Sequence, residues 1–567
     1  MRKYRIIAVA RSLQVIGVAF AHTIRMKTRS FGRSAAVLAV IGIVAKLIGA
    51  LYRVPLTNIV GAEGMGLYQM VFPLYTVLLA FCGGGAVSAV SRVVAKYTAL
   101  GDDKTAGRAA RAAFIPLGAT SAVAAVAVAL LRNVISGIQG NTDAGVAYLA
   151  LAPSLLFAGG ISVLRGYFQG KSNMTPSGVS QLIEQVIKLL LGLGLSRILI
   201  GRGVRFAVAG ALIGVSASEF VALAYLALRA LIARKKRIVR TTRPELATEA
   251  ATDAVIVTDR ELLKELYSFA LPVTLGSLVL PITQMIDSVL VINLLIGGGA
   301  GREYATALFG LFVGPVGTLV NMPSVVVLSF AVAFLPALTS AVERGDGGAE
   351  TVRAATKWIM LFAIPMTAAF MLFPDRICGT LYRRGLTAEQ LETAARLLRI
   401  QGIAVFYSGV LQLGTTVLQA NNKAHLPVIN LVIGACVKVA LTPLLVRAFG
   451  IIGAAGATAA FYAVAATLTV RRAYKQSAIG ADILRAFILP TVFAAVACAA
   501  FVGGVYLSRA LSLAYLWQNV VGAALFVICY VAGVIATGVI DIKSTIAEIK
   551  NGRAVRRSKK VSGKSRK

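Results

Sequence analysis

Charge is scarce in this 567-residue chain. Only 14% of its residues are Asp, Glu, Lys or Arg, 57% are hydrophobic, and the mean hydropathy is +0.79. An ordinary soluble domain carries about a quarter charged residues, so that class is excluded. Acids are the scarcest charges, 23 against 58 Lys and Arg, for a net charge of +35. In a soluble chain such an excess points to nucleic acid; here the placement of the cations argues against it. Two histidines, His22 and His425, are too few for a His-based metal centre and read as loop or interfacial residues. Five cysteines (Cys82, Cys378, Cys436, Cys498, Cys529) are odd in number and scattered, with neither metal-ligand spacing nor a disulfide framework. Neither a catalytic constellation nor a cofactor motif is present, so the expectation is a non-enzyme without a metal. A membrane glycosyltransferase would need a large extracytoplasmic catalytic loop; the longest candidate, 376–389, is short.

Long apolar runs are what the chain has. Fourteen segments are expected as membrane-spanning helices. They cover 34–54, 65–96, 108–131, 145–168, 176–200, 205–233, 261–297, 304–341, 351–374, 391–420, 426–447, 451–474, 481–507 and 513–540. Lys and Arg alternate between their connections. Within these bounds the N-terminal arm, the even-numbered loops and the C-terminal tail hold 30 of the 58, the odd-numbered loops hold 7, and 21 lie inside the segments, many of them at segment ends. By the positive-inside rule both termini lie in the cytoplasm, and the protein is a multi-pass protein of the cytoplasmic membrane.

The expected organisation is all-α. A basic cytoplasmic arm (1–33) precedes a first lobe of six helices (34–233). The one substantial polar linker (234–260) leads to a second lobe (261–474), then helices thirteen and fourteen (475–540) and a basic cytoplasmic tail (541–567). The arm has the outline of a signal peptide, but Arg11 and Gln14 interrupt its apolar run, so an uncleaved arm or a start at Met26 is favoured. The tail suits anionic headgroups of membrane lipids, at about 1 kcal/mol per cation.

The two lobes resemble each other. Gly101-Asp102 after the second helix recurs as Gly345-Asp346 after the eighth, 244 residues on. Phe168-Gln169-Gly170-Lys171-Ser172-Asn173 parallels Leu418-Gln419-Ala420-Asn421-Asn422-Lys423, and Lys188 parallels Lys438, both 250 residues on. Because each unit starts on the same side, the repeat is parallel, with a central cavity between the bundles.

A charge inside a spanning helix costs about 3 kcal/mol or more, so it faces a cavity or a partner. Lys46 and Arg53 are seven residues apart on one face of the first helix. Glu184 and Lys188 are spaced i, i+4 in the fifth, which supports an ion pair within that helix. Glu219, Asp287 and Lys438 have no partner in their own helices. The expected substrate-binding cations are Lys46, Arg53, Lys188 and Lys438. Asp287, Glu184 and Glu219 are the candidates for counter-ions or for coupling. Gly83, Gly84, Gly85 and Pro315 mark tight packing or hinges.

From Leu47 through Tyr52-Arg53-Val54-Pro55, Asn58, Gly61-Ala62-Glu63-Gly64-Met65-Gly66 to Tyr68-Gln69, the chain resembles the polysaccharide-flippase branch of the MATE/MOP exporter superfamily. The resemblance extends from Ser34 to about Asp541 and points to the stage V sporulation protein B group, relatives of the lipid II flippases. It implies translocation of an undecaprenyl-diphosphate-linked glycan by alternating access, in cell-wall or spore-cortex synthesis, alongside cell-wall synthesis proteins. It places Lys46 and Arg53 at a cavity-lining basic pair, with Lys in place of one Arg and a spacing one residue longer. The stretch from Tyr68 to Phe81 lacks the charged residues of a strict lipid II flippase, leaving another lipid-linked glycan open. A diphosphate suits basic residues in a cavity of low dielectric. Coupling is left open between membrane potential, Na+ and H+. The competing readings are a cation-coupled drug exporter, with acids dominating the cavity, and a non-transporting sporulation scaffold.

Overall fold

The computed structural model describes residues 30–241, 257–345, 348–475 and 483–536. The basic arm up to residue 29, the centre of the linker, Asp346 and the basic tail lie outside them. Every regular element among the described residues is helical. In chain order these are α1 (Ser30–Leu79), α2 (Ala86–Ala99), α3 (Asp103–Ile138), α4 (Ala144–Gly170), α5 (Thr175–Ile187), α6 (Leu193–Leu199), α7 (Val204–Thr241), α8 (Asp259–Ser277), α9 (Val279–Gly297) and α10 (Arg302–Leu311). They continue with α11 (Gly317–Glu343), α12 (Ala349–Leu372), α13 (Pro374–Tyr382), α14 (Ala388–Gln401), α15 (Ile403–Ala420), α16 (His425–Phe449), α17 (Ile451–Tyr474), α18 (Ile483–Ala510) and α19 (Tyr515–Ala536). Wide π turns at Ala80–Gly84, Lys188–Gly192 and Phe312–Val316 join α1 to α2, α5 to α6 and α10 to α11.

Twelve helices among the described residues are long and apolar enough to cross a membrane, against the fourteen expected. The difference has two sources. The first and second expected spans run on as one helical stretch, Val44–Ala99, bent at Gly61 (φ 70°), where glycine alone adopts this backbone without strain. Glu63, expected in an outer loop, therefore lies within α1. The fifth span, which contains the π turn Lys188–Gly192, is not among the twelve. There Gly192 meets Gly214 of α7 so closely that a Cβ on Gly214 would lie 2.4 Å from the Gly192 Cα.

The seventh span, expected unbroken over 261–297, divides at Leu278, and its two pieces have different neighbours. α8 packs on α2 and α3, with Leu262, Leu266 and Ala270 in one buried cluster with Val90, Val93 and Val94. α9 packs on α16 and α1. The tenth span likewise divides at Gly402 into α14 and α15.

The internal duplication reappears in the backbone. Ser172 and Asn422 both have positive φ, 57° and 59°, and each ends its helix with the same hydrogen bonds. The Asn173 amide donates to the Phe168 carbonyl and the Lys423 amide to the Leu418 carbonyl, a Schellman-type closure. Gly101 and Gly345 match in the same way, at φ 78° and 80°.

Helix starts outside the bundle are capped. Asp102 accepts from the Thr105 amide at 2.9 Å, and Thr258 and Glu261 form a reciprocal capping box at the start of α8. Both carboxyls lie below their usual pKa range, Asp102 chiefly through a bond from the Thr105 side chain and then from its amide, Glu261 chiefly through the bond from the Thr258 amide.

Candidate functional site

Gly42, Lys46, Gly49 and Arg53 form one stripe of α1. A Cβ on Gly49 would lie 2.7 Å from the Gln185 Oε1 and one on Gly42 3.6 Å from the Gln181 Oε1, so α5 runs along this stripe. Gln181, Gln185 and Lys188 recur on the facing stripe of α5. Lys46 is exposed and Arg53 half-buried. The Arg53 guanidinium lies 5.6 Å from the centre of the Phe72 ring and the Lys188 ammonium 5.9 Å from the same ring; Lys188 is also 5.1 Å from Tyr52. Cations over aromatic faces gain attraction without neutralisation. Among the described residues no carboxylate lies within ion-pair distance of Arg53 or Lys188. Two unneutralised cations thus share one aromatic platform.

Glu184 does not pair with Lys188 as the i, i+4 spacing suggests. Arg165 of α4 reaches it instead, at 2.6 Å, and also donates to the Ser180 Oγ at 2.9 Å. A guanidinium satisfies a carboxylate and a hydroxyl together, a geometry one ammonium four residues away does not offer. Lys188, opening the π turn, is released to the aromatic platform. Glu219 accepts a hydrogen bond from the Tyr75 hydroxyl, while its Oε2 is buried with no hydrogen-bond partner among the described residues.

Asp287 and Lys438 find each other. The Lys438 Nζ lies 2.5 Å from the Asp287 Oδ2, both side chains are buried, and the pair ties α16 to α9. Neither has a partner within its own helix, as expected, because the partner comes from a helix 151 positions away. Lys438 is therefore neutralised in this conformation, and Asp287 already holds a cation of its own chain.

One end of the bundle is sealed by backbone. A Cβ on Gly66 would lie 2.1 Å from the Thr306 carbonyl oxygen, and one on Gly310 2.1 Å from the Ala62 carbonyl oxygen. Asn58 donates to the Leu381 carbonyl at 2.8 Å, Gln69 to the Val313 carbonyl at 3.1 Å, and Asn141 to the Thr306 hydroxyl at 2.9 Å. Arg53 and Phe72 lie next to this seam along α1. Gly83 and Gly85 also sit at close approaches, facing the Ser162 hydroxyl and the Ala270 carbonyl, whereas Gly84 meets nothing closer than 3.4 Å. Pro315 lies inside the π turn between α10 and α11, and its carbonyl accepts from the buried Tyr382 hydroxyl at 3.4 Å. At the opposite end α8 is held by ion pairs Lys96–Glu265 and Arg108–Asp259, each 2.8 Å.

The sequence profile of the polysaccharide biosynthesis protein family matches residues 31–342, more than half the chain. The chain belongs to that family. It is 27% identical over 436 residues to stage V sporulation protein B of Bacillus subtilis (strain 168), covering 76% of this chain and 81% of that protein. It is 26% identical over 440 residues to the lipid II flippase MurJ of the same organism, covering 74% and 78% respectively. In three dimensions it resembles lipid II flippase MurJ in an inward closed conformation (TM-score 0.63, 13% identity, 88% of this chain and 98% of that one). It also resembles an inward-facing multidrug resistance MATE family transporter of the MOP superfamily (TM-score 0.60, 15% identity, 83% and 98%). The fold is thus that of the MATE/MOP transporters, and the protein is a multi-pass membrane protein.

Arg165, Tyr75, Gln181 and Gln185 escaped the sequence reading. Gln181 and Gln185 carried a legible signal, polar residues on the same helical stripe as Lys188. Arg165 and Tyr75 gave none, because their acidic partners sit on other helices.

Proposed function

We propose that this family member is a flippase. It moves a polyprenyl-diphosphate-linked glycan across the cytoplasmic membrane by alternating access, with both termini in the cytoplasm. The observation that carries this reading is the pair of unneutralised cations, Arg53 and Lys188, on the shared ring of Phe72 beside a sealed bundle end. A diphosphate brings concentrated negative charge to a site that lacks it, and Gln181 and Gln185 add donors for sugar hydroxyls. Exposed Lys46, on the same stripe, suits first contact with the headgroup. The names of the relatives, a lipid II flippase and a sporulation protein, support a cell-wall or spore-cortex glycan as cargo.

Two six-helix lobes, 34–233 and 261–474, would rock about the central site, with 234–260 as a cytoplasmic connector and 475–540 outside the repeat. The packing of α8 on α2 and α3 favours assigning that helix mechanically to the first lobe. The drug-exporter reading needs a cavity acid free to bind a cation, and the buried Asp287–Lys438 pair counts against Asp287 in that role.

The deciding experiment reconstitutes the protein in liposomes and follows labelled lipid II beside a second undecaprenyl-diphosphate glycan. Flipping of at least one, lost in Arg53→Ala and Lys188→Ala at normal insertion, is the expected result. Full activity in both variants would overturn the basic-site mechanism.

A further inference from the structure

On the lipid-facing side of the first half, α4 and α7 leave an apolar groove of about 580 Å3 between them. Val146, Pro153 and Phe157 line it from α4, and Phe206, Ile213 and Phe220 from α7. None of these belongs to the basic cluster. At 1.5 Å per residue the lined stretch is about 17 Å long on α4 and about 21 Å on α7. One leaflet of a bilayer has about 15 Å of hydrocarbon. The groove begins at the end of α4 next to the seam, and the rings of Phe157 and Phe220, 5.5 Å apart, stand across its far end about halfway along α4. Of its lining side chains only Ser216 is polar, and that hydroxyl donates to the Ala150 carbonyl at 2.8 Å. Nothing polar is offered to an occupant along its length.

The mouth is different. Exposed Arg202 ends the short turn Ile200–Arg202 that leads into α7. Exposed Arg205 stacks on Phe206 at 4.9 Å and meets Asp143 at 3.3 Å. Arg205 thus pairs with Asp143, and Arg202, three residues before it, is a second exposed cation at the same end of α7, on the side where the charge pattern of the sequence is otherwise poor in cations.

We infer that this groove binds one acyl chain of an anionic phospholipid from the leaflet at the sealed end, with the phosphate at Arg202 and Arg205. The rings across its far end match a chain that ends at the bilayer midplane. An isoprenoid tail of a transported lipid runs well past that depth, so it fits the groove poorly.

Native mass spectrometry of the full chain in micelles mixed with phosphatidylglycerol and phosphatidylcholine tests this. One phosphatidylglycerol should remain bound in preference to phosphatidylcholine. Ala209→Trp, which fills the groove, should abolish retention. Arg202→Gln, outside the packed interior, should lower the preference about fivefold, the value of one surface cation. A phosphatidylglycerol with a photoreactive group at its chain end should label peptides containing Phe157 or Phe220. Equal retention of phosphatidylcholine, or labelling spread over the lipid-facing surface, would overturn the site. Displacement of phosphatidylglycerol by equimolar undecaprenyl phosphate would overturn the assignment of the occupant.

Discussion

Lys438 and Asp287 form a buried ion pair at 2.5 Å that joins two helices far apart in sequence. Each half of the pair is tolerable only because of the other. Removing Lys438 leaves a lone carboxylate in a low-dielectric interior, which costs about 3–5 kcal/mol. Lys438→Met should therefore lower the unfolding temperature of the solubilised protein markedly, and Asp287→Leu combined with Lys438→Met should restore most of it. Equal stability of the single and double variants would remove the pair from the account of this bundle.

Transport should depend on the aromatic platform as well as on its cations. Phe72→Leu leaves a smaller apolar side chain and removes the ring shared by Arg53 and Lys188. At about 1–2 kcal/mol for a desolvated cation–ring contact, flipping should fall roughly tenfold, measured in liposomes at matched protein. Lys46→Arg should be milder than Lys46→Ala, because an anionic headgroup needs the charge first.

Glycine at 310 should be indispensable for closing the seam. Gly310→Ala drives a methyl into the Ala62 carbonyl, so α1 and α10 must separate. A cysteine replacing the half-buried Asn58 of the seam region should then react faster with a membrane-impermeant maleimide. Unchanged labelling would show that the seam tolerates a methyl group.

Acid should loosen the helix starts, not the bundle. Asp102 and Glu261 have lowered pKa values in the fold, so their caps contribute fully above the ordinary carboxylate range. The contribution is lost as pH falls through the lowered folded values. Amide exchange at Thr105 and Thr258, corrected for intrinsic rates, should rise below about pH 4. Asp102→Ala and Glu261→Ala should show the raised exchange already at neutral pH.

Topology remains directly measurable. A reporter fused after Gly101 should read cytoplasmic and one after Ala300 external. Glu63 is a poor fusion point, because it lies within α1.

The helical class and most of the spans were legible from hydropathy and from where Lys and Arg fall, since lipid imposes both. The repeated turns were legible too: Ser172 and Asn422 share a backbone because the sequences around them share a pattern. The partners of the intramembrane charges were not. Spacing along one helix suggested Glu184 with Lys188, but Arg165 on a neighbouring helix offers a better geometry, and nothing in the chain order announces that neighbour. The same holds for Lys438 and Asp287. The break at Leu278 had a signal that the unbroken span 261–297 passes over: Gly276 and Pro281 flank it, and a proline has no amide for the Ser277 carbonyl.

Where Gly66 and Gly310 meet the facing backbone, the seal rests on no side chain that could swing aside. Side chains change rotamer one at a time, so a gate built from them can leak by degrees. Here main chain rests on main chain, and the shortest path through is to part whole helices. Such a door is either shut or open, and a headgroup waiting beside Arg53 would meet no half-open passage through which protons or salts could slip past it.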